Sequence, residues 1–297
     1  MLAENSKILS FAPRPDRAFV RVTGDEAAEF LQGLISQDTH KITLDHAGYG
    51  ALLTPQGKFL HDLFLTKLPD GFRLECERER RDDLVTRLKR YRLRAKIDIA
   101  PDDDVAVAVL WGNGANDAVG LAGQPGSTLI EGTRTSYVDP RLAVLGVRII
   151  DMPDALTAPS AATESSLDIF RAYRLALGVP EGSGDILVDR GFLLENGFDE
   201  LNGVDWQKGC YVGQELTART KYRGLVKRRL MPVRIEGEAP EPGSKIEADG
   251  RDAGEIRSVA GEWALALIRL DAWRGGGPMT SGSATVTPQK PDWAAFE

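Results

Sequence analysis

The chain has 297 residues, 42% of them apolar, enough to bury a sizeable core and to divide into more than one packed unit. No apolar stretch approaches the ~20 residues that span a bilayer, and the first residues lack the apolar region of a signal peptide, so a cytoplasmic location without membrane contact is expected. A net charge of -7 argues against a surface built wholly for nucleic acid, and two cysteines, Cys76 and Cys210, make no disulfide framework; in a reducing compartment each would work as a thiol.

In chain order, Ala18 to Val22 reads as a strand, and Thr23-Gly24-Asp25-Glu26 has the spacing of a capping box. The helix predicted after it carries Ala27, Phe30, Leu31, Leu34 and Ile35 on one face. Pro55-Gln56-Gly57 is turn chemistry between Ala51 to Leu53 and Phe59 to Leu65, so an antiparallel hairpin is expected. After a second turn at Pro69-Asp70-Gly71, Phe72 to Cys76 reads as a strand and Asp82 to Tyr91 as a helix with Leu84, Leu88 and Tyr91 on one side. Val105 to Trp111 and Leu142 to Ile150 are β-branched runs with strand character, and Met152 to Ser166 reads as a loop. A helix capped by Ser165 or Ser166 should run to Leu177 and stop at Gly178 and Pro180. Beyond Leu225 the chain turns to short strands separated by Gly and Pro (Met231 to Ile235, Ser244 to Glu247, Gly254 to Val259, Trp263 to Leu270 and Ala284 to Thr287), the signature of a small β-barrel or sandwich.

Basic residues cluster in two runs that hold no acid, Arg87 to Lys96 and Arg219 to Arg234. Such runs suit phosphate or carboxylate ligands; the alternative is a solvated face balanced by acids from elsewhere in the chain. The three histidines, His40, His46 and His61, have no metal-ligand spacing. His40 and His46 read as polar loop residues, whereas His61 sits in a hairpin strand and faces either the core or a cavity.

The most informative stretch is Trp206-Gln207-Lys208-Gly209-Cys210-Tyr211-Val212-Gly213-Gln214-Glu215. It sets a thiol between a glycine and an aromatic, near an ammonium, just ahead of a helix predicted to begin near Gln214. Lys208 and the helix N-terminus would favour the thiolate of Cys210, a nucleophile or metal ligand; the plainer alternative is a small buried cysteine.

Lys208-Gly209-Cys210-Tyr211-Val212-Gly213-Gln214-Glu215, continued by Leu216-Thr217-Ala218-Arg219-Thr220, closely resembles the signature of the YgfZ-type folate-binding proteins and their mitochondrial iron-sulfur assembly relatives, in the aminomethyltransferase-like (GcvT-like) superfamily. Arg21-Val22-Thr23-Gly24, Phe30-Leu31-Gln32-Gly33, Thr54-Pro55-Gln56-Gly57-Lys58 and Tyr91-Arg92-Leu93-Arg94-Ala95-Lys96 carry the likeness along the chain, and Gly254 to Ser258 with Ala264 to Leu267 are similar to the superfamily's terminal barrel. The resemblance implies an α+β, aminomethyltransferase-like fold around a folate cavity. Residues 1–224 would form the folate-binding region and residues 225–297 a C-terminal β-barrel.

By the same resemblance, Cys210, Lys208 and Arg219 are the reactive group. Asp62, Arg94, Lys96, Trp206, Tyr211, Gln214 and Glu215 are candidate contacts for tetrahydrofolate. Cys210 would act as a transient ligand of an iron-sulfur cluster shared with an A-type carrier protein, since one cysteine supplies one of the four thiolates a cluster ordinarily takes. Client enzymes, tRNA methylthiolation among them, would depend on it indirectly; no direct DNA contact is implied and a monomer is expected.

Two departures qualify the likeness. Aminomethyltransferases carry an Asp pair where this chain has His61-Asp62, leaving Asp62 as a folate contact, a local base or an exposed salt-bridged carboxylate. Many superfamily members have a pterin-binding Glu where this chain has Ala176, which cannot accept the pterin amino hydrogens. A folate-dependent one-carbon transferase and an RNA-binding module are the rival readings; the second would make affinity strongly salt-dependent.

Overall fold

Strand β1 (Ser10–Pro13) leads into five strands that make one sheet: β2 (Arg17–Thr23), β3 (Gly48–Leu53), β4 (Phe59–Leu68), β5 (Gly71–Glu77) and β6 (Asp98–Asp102), in the order β3-β4-β5-β2-β6. Helices α1 (Ala27–Gln32) and α2 (Arg81–Arg92) lie in its connections. Strands β7 (Ala106–Trp111), β8 (Thr128–Glu131), β9 (Arg134–Val138), β10 (Val147–Asp151) and β11 (Thr163–Glu164) join β1 in a second sheet, ordered β11-β1-β7-β10-β9-β8. Helices α3 (Leu167–Ala176), α4 (Gly182–Asp185) and α5 (Gln214–Tyr222) follow. The chain ends in β12 (Arg228–Glu236), β13 (Lys245–Ala248), β14 (Arg251–Ala260), β15 (Trp263–Arg269), helix α6 (Leu270–Gly275), β16 (Met279–Ser281) and β17 (Ala284–Pro288); its six strands close into a barrel.

This computed structural model describes residues 7–296. Two units result: one holds the chain up to Leu53, Leu60–Leu167 and Asn202–Val212, the other Thr54–Phe59, Asp168–Leu201 and the chain from Gly213 onward. No described helix is long and apolar enough to cross a membrane.

In the first unit, β4 is buried on both faces for most of its length, so its neighbours His61 and Asp62 both lie inside, at 1% exposure. A dry charge network ties the two sheets of this unit. Glu75 on β5 accepts from Arg17 Nε at 2.8 Å, from Tyr137 Oη at 3.1 Å and from Arg148 Nε at 3.1 Å. The Arg148 guanidinium also lies 3.9 Å from the Phe64 ring centroid, and Arg141, held by Asp139, stacks on the same ring at 4.7 Å. Buried ions persist only when paired and hydrogen-bonded, and here the basic and acidic groups meet.

In the second unit the barrel encloses Met231, Val233, Ile246, Ile256, Ala266, Ile268 and Val286. Helix α3 lays Leu175 against Leu230 and Leu265. It stops where the sequence predicts: Gly178, at φ +75°, fits between Pro232 and Pro291, with no room for a Cβ.

Four expectations need correction. Thr23-Gly24-Asp25-Glu26 is no capping box: α1 has no side-chain cap, and the Glu26 carboxylate accepts from Lys96 N at 2.8 Å. Helix α1 ends at Gln32, so Leu34 and Ile35 are buried beyond it, Ile35 bridging Leu52. Leu142 to Ile150 is not one strand, because Ala143–Leu145 forms a 3-10 turn and Gly146 (φ +85°) reverses the chain before β10. The strand expected through Leu270 ends at Arg269, where α6 begins, and β16 carried no sequence expectation.

Candidate functional site

Cys210 is exposed while Cys76 is fully buried, and burial pushes the Cys76 thiol up to about 12. Of the two, Cys210 is the thiol available to a ligand or partner.

The segment that carries Cys210 is moored within the first unit to residues 33–41. Lys208 Nζ donates to Ile35 O at 2.6 Å and to Gln37 O at 2.7 Å. Asp205 Oδ1 accepts from the backbone N–H groups of Gln207 and Lys208, its Oδ2 accepts from Lys41 Nζ at 2.5 Å, and its own N–H donates to Ser36 O at 2.9 Å. Ser36 Oγ donates to Gly203 O and accepts from Ala51 N, and Gln37 Nε2 reaches both Tyr49 O and Asn202 O. Val212 N closes the segment on Gly33 O at 3.1 Å. Cys210 thus sits on a short span pinned on both sides, exposed between exposed Gly209 and buried Tyr211.

The Lys208 side chain runs inward from the loop. Its ammonium is buried and spent on two carbonyls, with the Tyr211 ring centroid 5.1 Å away. Desolvation lowers it to about 8, against the pull of Asp38 and Asp205. Lys208 therefore positions the loop.

Asp62 is another correction. Of the three readings, the exposed salt-bridged carboxylate is not found: Asp62 lies inside the first unit, with Tyr49 Oη at 3.4 Å and Arg17 Nη1 at 3.9 Å. Its neighbour His61 meets Asp83 at 2.9 Å, and burial together with Arg80 lowers its imidazole to about 4. Arg94 and Lys96 are exposed just past α2, and Trp206 is half-buried in the moored segment. In the second unit, Gly213, in the left-handed region, precedes α5, which presents Glu215 and Arg219 to solvent, with Gln214 half-buried; Ala176 is buried at the end of α3.

The basic runs separate on inspection. In the second, Lys221 pairs with Asp199, Arg228 with Glu195, Arg229 with Glu200 and Arg234 with Glu262, so much of its charge is balanced by distant acids. In the first, Arg87 pairs with Asp83. Among the described residues no three His, Cys, Asp or Glu side chains are grouped to hold a metal ion.

Sequence reasoning missed Ser36, Gln37, Lys41 and Asp205, the residues that moor the loop. The available signal was the polar run Ser36-Gln37-Asp38 directly after Ile35, which breaks the apolar period that α1 was expected to continue.

Residues 227–296 match the family described as CAF17, C-terminal beta-barrel domain. The chain is 34% identical to the mitochondrial iron-sulfur cluster assembly factor IBA57 of Mus musculus, over 93% of this chain and 83% of that protein. It is 32% identical to the Homo sapiens protein of the same description, with the same coverage, and 32% identical to a homologue from Pyricularia oryzae over 88% of this chain and 72% of that one. Its fold is similar to the crystal structure of the glycine cleavage system aminomethyltransferase T from Bartonella henselae, with a TM-score of 0.78 over 99% of this chain and 88% of that one, at 15% identity.

Proposed function

Because this chain belongs to the IBA57 family of iron-sulfur cluster assembly factors, we propose that it acts in iron-sulfur cluster assembly or repair through the thiol of Cys210. The observation that carries this reading is the contrast between its two cysteines: Cys76 is sealed in the core, whereas Cys210 is exposed on a span moored at Ile35, Gln37 and Gly33. The thiol loses its proton to bind iron, and as a single ligand it leaves the other positions on the cluster to a partner. An A-type carrier protein is the proposed partner, and the cluster is cargo passed on to client enzymes, including those of tRNA methylthiolation. A reducing, cytoplasmic setting goes with this reading.

Tetrahydrofolate is the proposed small ligand, and the residues fit it unevenly. Exposed Arg94 and Lys96 suit the carboxylates of its glutamate tail. Asp62, engaged by Tyr49 and Arg17, and Ala176, which has no acceptor, do not fit the pterin. The reading routes no chemical step through folate, and the same two positions weigh against a one-carbon transferase.

The test is an anaerobic titration of a cluster-loaded A-type carrier with wild type and with Cys210→Ala, read by visible absorption and co-elution, with and without tetrahydrofolate. A coloured heteromeric complex that requires the intact thiol is expected. If the Ala variant forms the same complex, the cluster-ligand role is wrong.

A further inference from the structure

A cavity of about 400 Å³ lies wholly inside the second unit, apart from the Cys210 segment. One wall is the loop from Asp185 to Asn196 together with Lys58 from the hairpin turn; the other is made by barrel strands β12, β13, β14 and β15. Its size lies within the ~300–1,000 Å³ range of small-molecule sites.

The charges lining it are not equivalent. Its buried carboxylates are already engaged: Asp185 accepts from Arg174 Nη1 at 2.5 Å and Glu181 N at 2.7 Å, and Glu195 accepts from Arg228 at 3.2 Å. Asp189 and Asp252, which form no ion pair among the described residues although Asp252 acts electrostatically on Arg269, are exposed at the rim.

The cations are differently placed. Arg257, on the barrel wall, is 8% exposed; its Nε donates to Asp185 O at 3.3 Å and its Nη1 to Glu255, and Nη2 takes no acceptor among the described residues. On the loop wall, Lys58 Nζ sits 3.2 Å from the Phe192 ring centroid and donates to Arg190 O at 3.2 Å. Neither Lys58, Arg190 nor Lys245 forms an ion pair among the described residues. Among these residues the Lys58 ammonium is met by one carbonyl and one ring and forms no ion pair, and burial, with Arg228 nearby, lowers Lys58 below its ordinary value against the pull of Glu195.

We propose that this cavity is a binding site for a small dianionic oxyanion, a dicarboxylate or a phosphate, held between Arg257 on the barrel wall and Lys58 with Arg190 on the loop wall. Arg257 offers a guanidinium edge to one anionic end, and Lys58 has hydrogen-bond donors left for the other. The Phe192 ring under Lys58 supplies an apolar side and fixes the ammonium by a cation-π contact. Lys58 closes the Thr54-Pro55-Gln56-Gly57-Lys58 motif, which the Cys210 reading leaves without a role. The site does not depend on that reading.

The test is calorimetric titration of the full chain with inorganic phosphate and, separately, with succinate, at constant chloride. Saturable binding of one or both near 1 mM or tighter is expected, and which probe binds identifies the source. Lys58→Met and the exposed rim variant Arg190→Ser should each weaken it about tenfold, the effect of losing a charge-assisted hydrogen bond. Arg234→Ser, a basic position outside the cavity, should leave it unchanged. Because Arg190 is exposed, its variant tests binding without threatening the fold. Absence of saturable binding by wild type, full affinity in both cavity variants, or equal weakening by Arg234→Ser would each overturn the proposal.

Discussion

Glu75 has no water to turn to, so its charge depends on Arg17, Arg148 and the Tyr137 hydroxyl. Burial alone would raise its carboxyl, but Arg148 and Arg17 more than reverse this and hold it below the usual range. Glu75→Gln should cost about 3–5 kcal/mol in chemical denaturation, because Arg17 and Arg148 lose their nearest counter-charge, leaving Asp62 at 3.9 Å from Arg17 and Asp139 at 3.7 Å from Arg148. The sign with pH follows: a depressed carboxyl stabilises above its unfolded value of about 4.3, and the advantage over the Gln variant fades as pH falls through the folded value. Lys208 behaves oppositely to a salt-bridged lysine. With a folded value near 8 against 10.5, the unfolded chain binds more protons between those limits, so stability contributed by this residue rises with pH across that window. Lys208→Met should cost about 1–3 kcal/mol by leaving the Ile35 and Gln37 carbonyls without a donor. It should also abolish the rise expected of wild type between pH 8 and 10.5 when denaturation curves of the two are compared.

Among the elements, those with strong local signals were legible. The hairpin around Pro55-Gln56-Gly57, the helix α2, the stop of α3 at Gly178 and the start of α5 at Gln214 all follow from turn chemistry and apolar period. Where tertiary contacts overrode local pattern, reading failed. Thr23-Gly24-Asp25-Glu26 satisfies a capping template, yet its chemistry is used across the fold: Glu26 receives Lys96 N, and Gly24, at φ +113°, lets the Lys96 carbonyl come so close that a Cβ would collide with it. Gly24→Ala should therefore destabilise the protein by about 1–3 kcal/mol, through strained backbone and that collision. Thermal unfolding of the variant beside wild type measures it, and an unchanged midpoint would mean that the 95–97 segment yields freely. The candidate site divides in the same way. Cys210 and Lys208 stood out in sequence, but the mooring of their loop on residues 33–41 pairs groups more than 160 positions apart, which no local period reports.

At the scale of the whole chain, the fold is similar to that of an aminomethyltransferase at 15% identity, while Asp62 is buried against Tyr49 and Arg17 and residue 176 is an alanine; a shared scaffold does not fix what its site binds. The second unit gathers sequence from three places, Thr54–Phe59, Asp168–Leu201 and the chain from Gly213, so the barrel does not stand on its own strands alone. Several contacts join the middle piece to it, among them the pairs Arg228 with Glu195 and Arg229 with Glu200. Leu175 of α3 packs on Leu230 of β12 and Leu265 of β15, which sit diagonally on paired strands, Leu230 being opposite Leu267 and Leu265 opposite Pro232, and Arg257 of β14 donates to the carbonyl of Asp185, whose side chain in turn holds Arg174. Truncating Leu175 to Ala removes buried methyl groups that the closed sheet cannot shift to replace, at about 2–5 kcal/mol. Amide exchange is the discriminating measurement. If α3 and the barrel open as one cooperative unit, the amides of β12 and β15 should lose protection in Leu175→Ala as much as those of α3. Loss confined to α3 would mean that the barrel is stable without it, and that residues 168–201 are added to a self-sufficient domain.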